Sequence, residues 1–587
     1  MKKLSAISLF IGFTILVNVS SFAQRKKSKQ NTKPTQEQID LEAEYQFIEA
    51  EKLYILKNYS QAIVLLNKCL ALDPDNDVFY YKLADINNVT EQYSQAAGYI
   101  TKAIDINPKN KFYYLLAVDI QTNLGNLLKA AQYYEDMIRI IPGTENYLLD
   151  LAANYIYQQN FDKAIDTYDR AEKAFGLTEQ ISFQKQKVYL QQNKLDEAIA
   201  ESEQLIKKYP DNPRYVVMQS EILSSNNRLE EAGGKLEILL ETNPDYAVAR
   251  LQLADIYWKQ NNFEGFQNQL MLAFSNIDLF INAKINTIMK YMVFLPNVQL
   301  EKIIPGLVDR IINIHPDNRN SYLIAGDVYS TFIEKQLVTG DEIKAVTEKA
   351  ADAYAVYVEL DPSNFSVWQN LLNLELQLDR QEELAKHASE ALELFPNQAW
   401  IYLVNGIVEE NQNNHESAAV MLEMGSKRAS NNKGLLTLIN SYLGDIYHEL
   451  KEYEKSDKAY EAVLEIDPLN FPVLNNYSYY LSLRGEKLDL AKKMSTTLIR
   501  NNPDNNTYLD TYAWVRFALG ELEEAERIFS KIIASGVDEG VYYDHFGDVL
   551  YKLNKVEEAV EQWKKARELD KNIENIDQKI KERKLIQ

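Results

Sequence analysis

Tyr59-Ser60-Gln61-Ala62-Ile63-Val64-Leu65-Leu66-Asn67-Lys68-Cys69-Leu70-Ala71-Leu72-Asp73-Pro74-Asp75-Asn76 is the stretch that decides the fold. Tyr59, Ala62, Ile63 and Leu66 fall at i, i+3, i+4 and i+7, which places them on one face of an α-helix. Ala62 is the small member of that face. It allows a second helix to approach closely, where a larger side chain would overpack the contact. Pro74 ends the helix, because it has no N–H to donate and disfavours helical geometry at the residue before it. Asp73-Pro74-Asp75-Asn76 then turns the chain and offers Asn76 as a cap for the next helix.

The same text recurs along the chain. Ala62, Ala96, Ala130, Ala164, Ala198 and Ala232 are each 34 residues apart. Pro74, Pro108, Pro142, Pro210 and Pro244 keep that step, with Gly176 in the missing slot. Pro362 and Pro396 restore it, as do Ala491, Ala525 and Ala559. Asp361-Pro362-Ser363-Asn364 repeats the turn. Short polar or Gly-bearing turns, such as Asn160-Phe161-Asp162 and Gly520-Glu521-Leu522, separate the two helices of each unit. A fixed period of this length is the mark of a stacked repeat architecture.

The chain resembles the tetratricopeptide repeat (TPR) family, whose 34-residue helix-turn-helix unit is small at position 8, Tyr at 11, Ala at 20, aromatic at 24, Ala at 27 and Pro at 32. Ala152, Tyr155, Ala164, Tyr168 and Ala171 match that pattern, and so do Gly547, Ala559, Trp563 and Ala566. The resemblance implies an all-α, right-handed superhelical solenoid of about fifteen units between Glu42 and Asn572. Cys69 takes core position 27. As the sole cysteine, it has no disulfide partner within the chain and builds no cysteine metal cluster.

The expected organisation has six parts. Residues 1–23 read as a signal peptide, with Lys2 and Lys3, the apolar run Leu4–Val19, and Ser21 and Ala23 before Gln24. The apolar run is short for a bilayer span, and no Cys follows it to take a lipid anchor. Residues 24–38 read as a disordered basic leader. An N-terminal array, 39–279, leads to an irregular segment, 280–361, read as two degenerate repeats with an inserted loop at Gln336–Asp341. Such a segment is a bend, a docking surface or simple drift. The pattern slips by four residues near Ser430–Gly434. A C-terminal array, 362–572, precedes a capping helix, 573–587.

Charge and composition narrow the function. The net charge is −22, and removing residues 1–23 with their two lysines makes it −24. Such a field repels phosphate backbones, which excludes nucleic acid as a partner, and it attracts basic segments. The five histidines (His315, His387, His415, His448 and His545) never fall at metal-ligand spacing. No nucleophile elbow or phosphate-cradling glycine loop is present. The expectation is no catalysis, no cofactor and no metal.

In the family it resembles, the first helix of each repeat lines the concave face, with positions 2, 5, 9 and 12 toward ligand. Position 9 here is acidic in Glu51, Asp85, Asp119, Glu221, Asp255, Asp327, Asp445 and Asp548. With Tyr81, Trp258, Trp400 and Trp514, these residues are the candidate partner-binding set. Charge would steer a basic or extended protein segment and aromatics would anchor it. The bland reading is that the acids only hydrogen-bond between helices. The lysine and asparagine of the chaperone-tail clamp are missing, with Phe47, Glu51 and Asp85 in their places. The resulting expectation is a periplasmic or cell-envelope scaffold, similar to exported solenoids of Bacteroidota. It would have no transmembrane span, and any outer-membrane association would be peripheral and through a protein partner. The alternative is a carbohydrate- or peptidoglycan-binding solenoid using exposed Tyr and Trp.

Overall fold

The computed structural model describes residues 35–586. Among them are thirty-one α-helices, one short 3-10 turn and no strand. The first thirty helices pair into fifteen hairpins, from Gln36–Ile55 with Tyr59–Leu72 to Gly540–Lys552 with Val556–Leu569. The chain divides into two compact units, one ending at Leu239 and one beginning at Leu240. Each is an all-helical stack of hairpins. No helix among the described residues is long and apolar enough to cross a membrane.

The alanine ladder is the innermost feature of both units. Ala62, Ala96, Ala130, Ala164, Ala198 and Ala232 expose no surface in the first, nor do Ala491, Ala525 and Ala559 in the second. The closeness of the helices is measurable at Gly547. A Cβ built there would stand 3.1 Å from the carbonyl oxygen of Ala559 and 2.5 Å from the Trp563 ring. Where Ser456 takes the alanine slot, its hydroxyl is satisfied by donating to the Gly444 carbonyl at 2.7 Å. Cys69 is also fully buried, with its sulfur 3.5 Å from the Ala43 carbonyl oxygen. Burial pushes its thiol up to about 11.

Turns repeat as strictly as the core. Inside the hairpins, Lys57, Glu91, Gly125, Gln159, Asn193 and Asn227 of the first unit are left-handed, with φ between 57° and 72°. That conformation is native to glycine and strained for Lys, Glu or Gln. It is imposed by the helix ending itself, in which the Asn58 N–H reaches back to the Leu53 carbonyl at 2.8 Å. Between hairpins, the expected caps form. Asn76 Oδ1 accepts from the Val78 N–H, and Asn364 Oδ1 from the Ser366 N–H, each at 3.1 Å.

Residues 1–34, with the signal peptide and most of the basic leader, lie outside the described residues. The leader's expected end at 38 is corrected. The first helix starts at Gln36, because Thr35 and Gln38 form a capping box: the Gln38 N–H donates to Thr35 Oγ1 at 3.4 Å, and the Thr35 N–H to Gln38 Oε1 at 3.1 Å. The irregular segment lies inside the second unit as helices Ile281–Met292, Val298–Ile314, Arg319–Glu334 and Asp341–Leu360. The inserted loop ends at Gly340, and Asp341 is already helical. Leu337 and Val338 of that loop pack on the core. The four-residue slip is taken up by the long helix Lys433–Glu449. The last helix covers only Ile576–Glu582.

Two buried lysines contrast. Lys185 meets Asp169, Glu172 and Glu201 at 2.9, 3.1 and 2.5 Å. Lys284 is fully buried, and its Nζ reaches the Asn276 carbonyl at 2.8 Å and His315 Nε2 at 2.9 Å, neither of them a carboxylate. Burial lowers its ammonium to about 8. Burial and the Lys284 charge both lower His315.

Two outcomes are expected. Ala164→Asp places an unpaired charge in the ladder and should cost more than about 3 kcal/mol. Limited proteolysis should then cut on both sides of residue 164, and uniform resistance would contradict the register. For Lys284, the folded-state pKa lies below the unfolded value, so the charged form is penalised in full below pH 8, by roughly 3 kcal/mol. That penalty fades as pH rises from about 8 to about 10.5. Lys284→Met should therefore raise the urea midpoint at pH 7 and lose much of that advantage at pH 9.5.

Candidate functional site

The first helices of successive hairpins touch one another and share hydrogen bonds, so their free faces form the surface on which a ligand would lie. In the first unit, Tyr113 donates to Asp77 at 2.8 Å, Tyr215 to Glu179 at 3.3 Å, and Asn88 to Asp119 at 2.6 Å. In the second unit, Asn476 donates to Asp445 at 2.9 Å, and His545 pairs with Asp510 at 2.8 Å.

Most of the predicted acidic stripe is consumed by the fold. Glu51 and Asp85 flank Lys82 at 3.3 and 3.5 Å, and that ammonium also sits 4.2 Å over the Tyr54 ring. Asp119 is exposed but accepts from Asn88. Asp255 accepts from the Tyr291 hydroxyl and pairs with Lys290. Asp327 accepts from Tyr354 at 2.8 Å, Asp445 from Tyr460 at 2.6 Å, and Asp548 from the Trp563 indole at 2.8 Å. Burial raises Asp327 and Asp445 above the usual carboxylate range. It pushes Asp548 up to about 6, with the neighbouring charge of Asp544 adding to the rise. Asp548 is held as well by Lys579, with Nζ 2.9 Å from both carboxylate oxygens. Only Glu221 among the eight stands exposed at the edge of a hollow.

Three of these acids follow one local rule. In Gly326-Asp327, Gly444-Asp445 and Gly547-Asp548, an aromatic ring from the second helix lies flat on the glycine. A Cβ at Gly326 or Gly444 would come within 2.3 Å of the Tyr354 or Tyr460 ring. The ring's polar tip then reaches the adjacent aspartate. Small residue, acid and aromatic form one packing unit, so these aspartates are structural before they are anything else.

The predicted aromatics divide in the same way. Tyr81 stacks on Tyr113 at 5.0 Å. Trp258 is enclosed by Phe263, Phe266, Tyr291 and Phe294 at 5.1–6.0 Å. Trp400 is half-buried against the core. Trp514 stacks on Phe517 at 4.9 Å and on His545 at 4.1 Å, and still borders open space.

Among the hollows on the first helices, two border residues of the predicted set. In the first unit, a cavity of about 300 Å³ lies between helices Glu179–Gln191 and Arg214–Ser225, walled by Phe183, Leu190, Met218 and Ile222 with Lys187 and Glu221 at its edge. In the second, a cavity of about 570 Å³ is bounded by Leu483, Arg484, Trp514, Phe517 and Asp548, together with Leu585 and Ile586. Position 9 finds Lys187, Glu221, Trp514 and Asp548. It misses Phe183, Leu190, Leu483 and Phe517 at positions 5 and 12 of their repeats, and Met218 and Ile222 at positions 6 and 10. Reading positions 5 and 12 beside position 9 would have found the first four. The larger charged hollow of about 670 Å³ around Tyr453 and Asp457 is self-paired, with Lys487 2.7 Å from Asp457 and 3.4 Å from Glu461.

Family models agree with the repeat architecture. Tetratricopeptide repeat family models match residues 149–213, 183–247 and 443–468, which supports a tetratricopeptide repeat protein. Repeats of this class mediate contacts between proteins. The TPR repeat-containing protein PA4667 of Pseudomonas aeruginosa is 27% identical over 184 residues, which is 31% of this chain and 30% of that protein. A tetratricopeptide repeat protein from Parabacteroides merdae is similar at 16% identity and a TM-score of 0.36, over 45% of this chain and 99% of that one. The Naa15/Naa10 complex bound to HypK-THB gives 12% and 0.35, over 92% of this chain and 96% of that one. Likenesses this weak say nothing about partner or pathway.

The glycine–acid–aromatic unit gives a direct expectation. Gly444→Ala should cost about 2 kcal/mol by driving the Tyr460 ring off its seat. Tyr460→Phe should cost about 1 kcal/mol, because Asp445 then loses one of its donors and keeps Asn476 and Tyr480. Urea denaturation of the two variants checks the order, and an unchanged midpoint for Gly444→Ala would contradict the packing.

Proposed function

We propose that this chain is a non-catalytic scaffold of the bacterial cell envelope that holds an extended segment of a partner protein on the faces of its first helices. The observation that carries this reading is the apolar hollow of Phe183, Leu190, Met218 and Ile222. Its walls come from the helix positions left facing outward after the hairpins have packed. An apolar pocket with a few charges at its edge is the usual form of a peptide-anchoring site. Lys187 and Glu221 at the edge would fix the direction of the bound segment. The chain's charge of −22 steers basic partners toward the surface at low ionic strength.

The envelope location rests on residues 1–23, whose basic start, apolar run and small-residue ending read as an export signal. Association with the outer membrane would be peripheral, through the partner. Sugar binding has less support, because the Trp258 ring is already enclosed by its neighbours and one face of Trp514 is covered by His545.

A photo-crosslinking amino acid at Met218 should trap a discrete partner protein in intact cells, whereas one at Lys68, exposed on a second helix, should not. Equal products from the two sites would overturn the binding-face assignment. Fractionation of the tagged full chain into cytoplasm would overturn the location alone.

A further inference from the structure

The second hollow is walled in part by the chain's own last described residues. Helix Ile576–Glu582 is anchored by Lys579, whose Nζ lies 2.9 Å from Asp544 and from Asp548. At Arg583 the backbone turns left-handed, with φ 56°, and ends the helix. The Arg583 guanidinium pairs with Glu557, which fixes the direction of the turn. Leu585 and Ile586 then come to rest, half-buried, as part of the wall of the cavity that Trp514, Phe517 and Asp548 also line.

That cavity is built for such a segment. Trp514 is clamped between Phe517 and His545, so its ring is a fixed wall. Gly485 and Ala518 are small and leave space beside it. The space left open with Leu585 and Ile586 in place, about 570 Å³, lies within the range of ordinary ligand pockets, roughly 300–1,000 Å³. The segment is basic, then aliphatic (Arg583-Lys584-Leu585-Ile586): Arg583 pairs with Glu557, Lys584 with Glu582, and Leu585 and Ile586 line the same cavity as Trp514 and Phe517, while Asp544 and Asp548 are taken by Lys579. The Arg583–Glu557 pair and the aliphatic contact together define one chemistry.

We propose that this pocket is a second peptide-binding site, and that residues 583–586 are a resident stand-in for its ligand. The ligand is an extended partner segment in which basic residues precede two neighbouring aliphatic side chains. The resident segment competes because its tether holds it at a local concentration in the millimolar range. Partner segments bind only when they exceed that competition, so weak matches are rejected. This inference deepens the protein-binding reading, yet it concerns a different pocket in a different unit from Met218.

The test compares the full chain with one ending at Glu582, which keeps Lys579 and the last helix. The probe is a dye-labelled synthetic peptide of residues 580–587, followed by fluorescence anisotropy. The shortened chain should bind it saturably, at least about tenfold more tightly than the full chain, in line with the loss of an intramolecular competitor. A peptide with Leu585→Ser and Ile586→Ser should not bind. Phe517→Asp in the shortened chain should abolish binding, with circular dichroism confirming that the variant remains helical. Equal affinity for both chains, or no binding to a shortened chain that is fully helical, would overturn the proposal. A Met218 crosslink in the same cells would leave the broader function standing.

Discussion

The close approach of two helices at an alanine is the contact on which the rest of this molecule depends. Helices of about thirteen residues are marginal in isolation, so each must gain its stability from neighbours. The gain requires backbones near enough for side chains to interdigitate; most hairpins place Ala at that crossing and one a satisfied Ser, while Phe266 and Leu384 fill it with larger, fully buried side chains. Ala164 with no exposed surface and Ser456 bonded across to Gly444 are two solutions to the same constraint. Once the crossing is set, the turn that follows has no freedom. Lys57, Glu91 and Gln159 accept left-handed geometry because the surrounding hairpin determines it.

The same constraint governs the polar groups. A second-helix aromatic packed on a glycine necessarily brings its hydroxyl or indole N–H to the first helix. Aspartate at the next position turns that donor into a hydrogen bond instead of a desolvated loss. Acid at position 9 is therefore partly a consequence of aromatic residues at position 24. Lys284 marks the opposite case, a buried cation satisfied only by neutral acceptors. It lies in the segment where the repeat rhythm falters.

What remains for binding is set by subtraction. Helix positions used in the hairpin or in the contact with the next hairpin are closed to ligand. Positions 5, 9 and 12 of the first helices stay open, but only where no neighbouring side chain has claimed them. In the first unit this leaves an apolar hollow beside Glu221. In the second it leaves the space beside Trp514, of which Leu585 and Ile586 form part of the wall.

The sequence by itself determined the helical class, the hairpin count, the buried alanines, the caps at Asn76 and Asn364, and the burial of Cys69. All of these follow from local periodicity and from steric rules that hold within one repeat. Tertiary structure alone decided which position-9 acids are free, because that depends on a donor 15 or 27 residues away, or 36 away in the next hairpin, as with Asp548 and Trp563, Asp327 and Tyr354, or Asp255 and Tyr291. It also decided that Leu585 and Ile586 lie beside Trp514, about seventy residues earlier in the chain. Periodicity sets which face a side chain occupies, but a charge or a ring is spent only when packing brings its counterpart within reach.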